Sequence, residues 1–301
     1  MKYYKSRIFA LSITILFLIS CTSAYSSDIY VTTNSNIIQK IDSGGNKTTF
    51  VTTASLPSFL NFDRNGYLYA AYDYAGVIEK FDSSGNKTTV ATGLTLHQNP
   101  QLGPEGLAFD SAGNLYTAIM NQGTVLKIDP GGNKSVFASG LNVPTGLAFD
   151  SSGNLYVSSY GDNKIWKFDP SANKTTFASG VSGLECLAFD SQGYLYASKD
   201  NILLNQGSIL KFDQTGAYSI FASSTYLNSP FELAFDGSDN LYAACMGGPY
   251  GLVKLDTNGN ISTVANAPSV ALGVAIQIPE PASVILIGAG LLFVRLKRRQ
   301  N

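Results

Sequence analysis

PTGLAFDSSGNLYVSSYGDNKIWKFDPSANKTTFASG, residues 144–180, contains four short apolar runs separated by polar turns. The first two runs flank Asp150 to Asn154 and the last two flank Asp169 to Lys174, turns whose Asp and Asn side chains suit tight chain reversal. The stretch therefore reads as four antiparallel strands. The tyrosine of its second run recurs along the chain as Tyr30, Tyr69, Tyr116, Tyr156, Tyr196 and Tyr242, at spacings of 39, 47, 40, 40 and 46 residues. A period near 40 residues argues for one closed repeat architecture rather than two ordinary domains. Six copies predict an all-β fold, a six-bladed β-propeller of four-stranded antiparallel blades.

The first run of each copy appears as LNFD from Leu60 and as LAFD from Leu107, Leu147, Leu187 and Leu233, but nothing comparable precedes Tyr30. Leu272 to Ile276 repeats the pattern after the last full copy and has no second strand behind it. It is expected to pair with Ile29 to Thr33, so that N- and C-terminal strands close the ring and leave no open seam. The pattern Pro-x-Gly-Leu-Ala-Phe-Asp-x-x-Gly-Asn-Leu-Tyr-Val followed by Lys-Ile-Trp-Lys-Phe-Asp resembles NHL repeats and the related gluconolactonase (senescence marker protein) propellers, across roughly Asp28 to Gln277.

The two ends differ from the repeats. Lys2, Lys5 and Arg7, the apolar run Ile8 to Ile19 and the small residues to Ala24 form a secretory signal over residues 1–24. Leu18-Ile19-Ser20-Cys21 also resembles a lipobox, which would make Cys21 an acylated first residue; cleavage after Ala24 is preferred because strand-like sequence begins by Asp28. The propeller is assigned to residues 25–278 and a sorting tail to 279–301. That tail reads Pro279-Glu280-Pro281, an apolar stretch from Ala282 to Val294, then Arg295, Lys297, Arg298 and Arg299. The stretch is shorter than the roughly 20 residues of an ordinary membrane helix, although flanking basic side chains extend its reach. The three parts in this order resemble the PEP-CTERM sorting signal of Gram-negative bacteria. The resemblance implies an exosortase-type processing enzyme as partner and a membrane segment held until processing.

Of 20 basic residues, three lie near the N-terminus and four in the tail; the remaining 13 against the 20 acidic residues left when Glu280 of the tail is set aside give a formal balance of −7. Nucleic acid is therefore not expected as a partner. His97 is the only histidine, which excludes a multi-histidine metal site, and no phosphate-binding glycine loop occurs. Asp63, Asp110, Asp150, Asp190 and Asp236 open tight turns, and turn chemistry explains them better than calcium does. The Asn-Lys-Thr/Ser triplets at Asn46, Asn86, Asn133 and Asn173 likewise read as hairpin turns, and Trp166 as packing between blades.

Strand direction places the first-to-second and third-to-fourth turns on one face of the ring and the longer, variable loops on the other. Function is expected on the variable face, around the mouth of the central channel. Glu105, Glu185 and Glu232 stand near the start of inner strands on that face and are candidate ligands for Ca2+ or another divalent metal. Asn121, Asp162, Asp200 and Asn201 lie on loops that could add to them. The competing reading is that each carboxylate caps local backbone or faces water. In gluconolactonase-like propellers the resemblance implies a metal bound by a Glu, by Asn residues and by an Asp. Glu105 in PEGLAFD matches the Glu, but Thr145 in PTGLAFD stands where an Asn is expected. No catalytic residue is assigned. The sequence favours an exported binding or scaffold protein at the cell surface or in the extracellular matrix, with polysaccharide or a surface protein as the class of partner. The alternative is a metal-dependent lactonase or related hydrolase. Cys186 and Cys245 sit near the variable face in neighbouring blades, and the sequence leaves their pairing open.

Overall fold

The computed structural model describes residues 27–95, 103–200, 206–247 and 249–278. Six four-stranded antiparallel sheets make up a propeller, each with its strands in simple inner-to-outer order. The second strands, such as Leu115–Ile119 and Leu155–Ser159, are buried along their whole length because a neighbouring blade covers each face. The outer strands, such as Lys174–Ser179, are mostly exposed.

The recurrent tyrosine explains the packing between blades. Tyr156 stands edge-on to Phe177 of its own outer strand at 4.9 Å and to Phe189 of the next inner strand at 5.0 Å. Tyr30, Tyr116 and Tyr196 repeat the arrangement with Phe50 and Phe62, Phe137 and Phe149, and Phe221 and Phe235. Each such T-shaped pair adds roughly 0.5–1.5 kcal/mol to the burial of the rings. Tyr69 keeps Phe109 at 4.8 Å but meets Val90 in place of an outer-strand phenylalanine. Tyr242 packs with the aliphatic residues Val264 and Ile276 instead.

The turn residues act as expected. Asp110 Oδ1 accepts the N–H groups of Ala112 and Asn114 at 3.0 and 2.9 Å, while Oδ2 accepts Asn114 Nδ2 at 2.7 Å. Tyr116 Oη donates to the same Oδ2 at 3.2 Å, so both oxygens serve the turn and the strand that follows it. The triplet asparagines are used in the same way: Asn46, Asn86, Asn133 and Asn173 donate Nδ2 to Asp42, Asp82, Asp129 and Asp169.

Closure occurs through Val274–Gln277, which pairs antiparallel with Asp28–Thr33 and sets Val31 against Val274 and Asp28 against Gln277. The expected closing strand began at Leu272. Thr32 N–H still donates to Gly273 O at 3.0 Å, but the N–H groups of Leu272 and Gly273 donate to Thr32 Oγ1 at 3.2 and 2.7 Å, so a side chain takes over as the ladder ends. Glu232, on the inner strand of the sixth blade, fixes this seam. Its carboxylate accepts Val274 N–H at 2.6 Å and Leu60 N–H at 3.1 Å, joining the sixth, first and second blades. Gly273 leaves room for it, since a Cβ there would lie 3.0 Å from Glu232 Oε2.

Glu232→Gln puts an amide donor where two backbone donors already converge, and should lower unfolding free energy by about 1–3 kcal/mol. Urea denaturation checks this, with Glu185→Gln as the comparison; equal midpoints for the two variants would remove Glu232 from the closure.

Candidate functional site

The inner strands leave a channel of about 510 Å3 along the ring axis. It is lined largely by strand edges, because side chains of an inner strand point into the two blade interfaces rather than at the axis. Asp63, Arg64 and Ile278 lie at its tight-turn end. Glu232 lines the channel, whereas Glu105 and Glu185 stand beside it on the variable face, near the start of the strands Pro104–Phe109 and Leu184–Phe189.

Glu105 is only 4% exposed and its Oε2 has no hydrogen-bond partner among the described residues. Burial, then the charges of Glu185 and Asp73, push its carboxyl well above the usual range. Glu185 is pushed up to about 8 by burial and then by Asp200. Asp73 is pushed up to about 6 by burial, offset in part by the Gly103 N–H. These four acids form an electrostatically connected series at the mouth. A raised carboxyl that keeps its proton both donates and accepts hydrogen bonds, which suits hydroxyl or amide ligands at Glu105 and Glu185.

Sequence reasoning missed Asp73. It lies in the loop between the second and third strands of the second blade, and its approach to Glu105 depends on how two blades pack. The sequence's one signal was an acidic residue on the variable face.

The other candidates divide. Asp200 accepts Ser229 Oγ at 3.3 Å and faces Glu185. Asp162 is engaged locally, accepting Ser159 Oγ at 3.0 Å and Trp166 Nε1 at 3.3 Å. Burial opposes its charge, but those bonds hold its carboxyl below the usual range. Trp166 packs at the blade interface, with Lys164 and Lys174 over its ring. Asn121 keeps a buried amide without partners among the described residues. Glu232, expected with Glu105 and Glu185, spends its carboxylate on backbone N–H groups instead. Asn201, His97, Cys21 and the tail residues Pro279, Glu280, Pro281, Arg295, Lys297, Arg298 and Arg299 lie outside the described residues. Cys186 and Cys245 are buried free thiols in one apolar cluster.

A gluconolactonase-type metal centre does not fit these residues. Thr145 Oγ1 lies 2.9 Å from Ser158 Oγ and donates to Glu185 O at 2.9 Å, so it is committed to holding two inner strands together. Among the described residues no three His, Cys, Asp or Glu side chains come together to hold an ion.

Residues 277–299 match the PEP-CTERM protein-sorting motif. The chain carries an exosortase sorting signal. Its PEP-CTERM segment marks it for export and for membrane-anchored sorting at the C-terminus. Residues 91–128, about one blade, match the N-terminal part of strictosidine synthase-like proteins. No curated protein matches the chain. Among solved structures, one of a nidogen/laminin complex shares 19% identity over 83% of this chain and 98% of that one, with a TM-score of 0.69. A gluconolactonase of Xanthomonas campestris shares 14% identity over 82% and 87%, with a TM-score of 0.63. Virginiamycin B lyase of Staphylococcus aureus shares 16% over 80% and 84%, with a TM-score of 0.58. At these identities the likeness concerns the fold. The chain thus has the propeller its repeats predicted.

The mouth carboxyls set a pH dependence. A carboxyl whose folded value is raised holds its proton more tightly in the folded state, so stability is complete below the ordinary 4.5 and declines as pH rises through about 8. Glu105→Gln with Glu185→Gln should flatten that decline and raise the melting temperature by several degrees at pH 9, measured by calorimetry between pH 4.5 and 9. A profile as steep as that of the unchanged protein would place the titrating groups elsewhere.

Proposed function

We propose that the PEP-CTERM propeller is an exported binding protein of the cell surface or extracellular matrix, using the variable face around its channel mouth. The observation that carries this reading is the direction of the closing strand. Val274–Gln277 runs toward the tight-turn face, and the PEP-CTERM motif begins at its last residue. While the tail is in the membrane, the acidic mouth therefore points away from the bilayer, toward whatever lies outside the cell.

The side chains of that face support recognition. Tyr74, Tyr160, Tyr226 and Tyr250 are exposed there by 55%, 38%, 42% and 39%. Tyr226 and Tyr250 stand edge to face at 5.5 Å and bury neither ring in the core. Tyrosine offers a rigid apolar body with a polar tip, which suits contact surfaces for a polysaccharide or a surface protein.

A second reading, a hydrolase that needs a divalent ion, has one observation in its favour, the unpartnered buried Glu105 Oε2 beside Asp73. Titrating calcium against the melting temperature separates the two. A rise of several degrees in the unchanged protein that disappears in Glu105→Gln would favour the hydrolase.

The sorting half of the proposal is tested on the tail. In a host with a matching exosortase, the surface form should lack Leu291 to Asn301, and Glu280→Ala should leave the full chain in the inner membrane. Intact-mass measurement of the surface fraction reads this directly, and a surface protein still ending at Asn301 would mean an unprocessed anchor.

A further inference from the structure

Among the described residues the outer strand of each blade has no partner on its far side, so it presents a row of free backbone N–H and C=O groups. Such an edge pairs with other strands unless something guards it. Lys47, Lys87, Lys134 and Lys174 open the outer strands of the first four blades, and that of the sixth, Ile261–Thr263, is only three residues long.

The fifth blade is different. Its outer strand, Tyr218–Ser224, is seven residues long and carries no charge. Tyr218 is 49% exposed and Ile220 is 65% exposed, at positions where the fourth blade has Lys174 and Thr176. Val136 of the third blade is similarly exposed, but Lys134 precedes it two residues earlier. Beside Tyr218 lies an open bowl of about 480 Å3 whose lining includes Tyr194, Lys211 and Asp213.

Hydrogen bonds fix which backbone groups this edge presents. Asp213 N–H donates to Ala217 O at 2.9 Å across the preceding turn, and Ser219 pairs with Lys211. Because antiparallel pairing alternates, the backbone groups of Ser219 turn inward to the third strand and those of Tyr218 and Ile220 turn outward. The irregular register between Ile209 and Leu210 falls beyond Ile220, which leaves this short segment regular.

We propose that this edge docks on a second copy of the chain, the two fifth-blade outer strands pairing antiparallel about a two-fold axis through Ser219. Tyr218 of each copy then faces Ile220 of the other and exchanges backbone hydrogen bonds with it, an aromatic to β-branched pair made twice. Charge favours self-pairing. A Lys-bearing outer strand in this register would set its ammonium opposite the aliphatic Ile220, whereas the fifth-blade strand brings no charge into the seam. This surface is separate from the channel mouth, so its success or failure does not depend on what the mouth binds.

The experiment is a Ser219→Cys substitution in the exported full chain, read by non-reducing electrophoresis. The axis places the two residues opposite each other as a non-hydrogen-bonded pair, with Cα atoms about 4.5 Å apart, within disulfide reach. Among the described residues the native thiols, Cys186 and Cys245, are buried and do not compete. A linked dimer is expected, with Thr175→Cys at the matching position of the fourth blade staying monomeric. Adding Ile220→Lys to Ser219→Cys should reduce the dimer at least tenfold while leaving the melting temperature unchanged. Failure of Ser219→Cys to link, or equal linking by Thr175→Cys, overturns the proposal. A second measurement uses unsubstituted residues 27–278, within which the ring is complete. Sedimentation should show a concentration-dependent dimer, and a monomer persisting to millimolar concentration also overturns the proposal.

Discussion

The edge-on wedge of a second-strand tyrosine between two phenylalanines governs the geometry of the ring. One phenylalanine belongs to the tyrosine's own blade and the other to the next, so the contact fixes both the spread of a sheet and its angle to its neighbour. Repeating the wedge with ring separations near 5 Å gives successive blades nearly the same rotation. A closed ring tolerates little accumulated error, since a small misfit at each interface would sum at the seam.

The aromatic wedge gives out at that seam. Tyr242 meets Val264 and Ile276, which fill space without the directional preference of facing rings. A polar device is found there instead, with Thr32 holding Leu272 and Gly273 and Glu232 holding Val274 and Leu60. Burying Glu232 is costly, and burial pushes its carboxyl well up even though two backbone N–H groups favour its charge. What it offers in exchange is specificity, because only one arrangement of three blades satisfies both oxygens.

The fold was legible because its signals are local. Asp and Asn at each hairpin could be read within about ten residues, and repeating that reading along the chain exposed both the tyrosine period and the missing first strand. The site was less so. Glu105 and Glu185 could be named from their place at the entrance to inner strands, but Asp73 reaches Glu105 only through the packing of two blades. Glu232 looked equivalent to them, yet its donor Leu60 lies 172 residues away in sequence, and a one-position offset within the strand turns its carboxylate to the backbone. Thr145 departed visibly from the gluconolactonase pattern, and its hydrogen bonds show the physical reason: here that position ties strands together.

The position of the closing strand also orders events in time. Asp28 waits for Gln277, so the first blade keeps an open edge until nearly the whole propeller has crossed the membrane. Contacts so distant in sequence form slowly, because the intervening chain must be gathered before they provide any stabilisation. Only Ile278 and the Pro-Glu-Pro triplet separate Gln277 from the apolar run, a span of at most ~14 Å when extended. With that run held in the membrane, as proposed above, sealing of the ring would take place close against the bilayer. The tail that addresses the protein also holds its last strand near the site of emergence, which raises the local concentration of the one segment the first blade lacks.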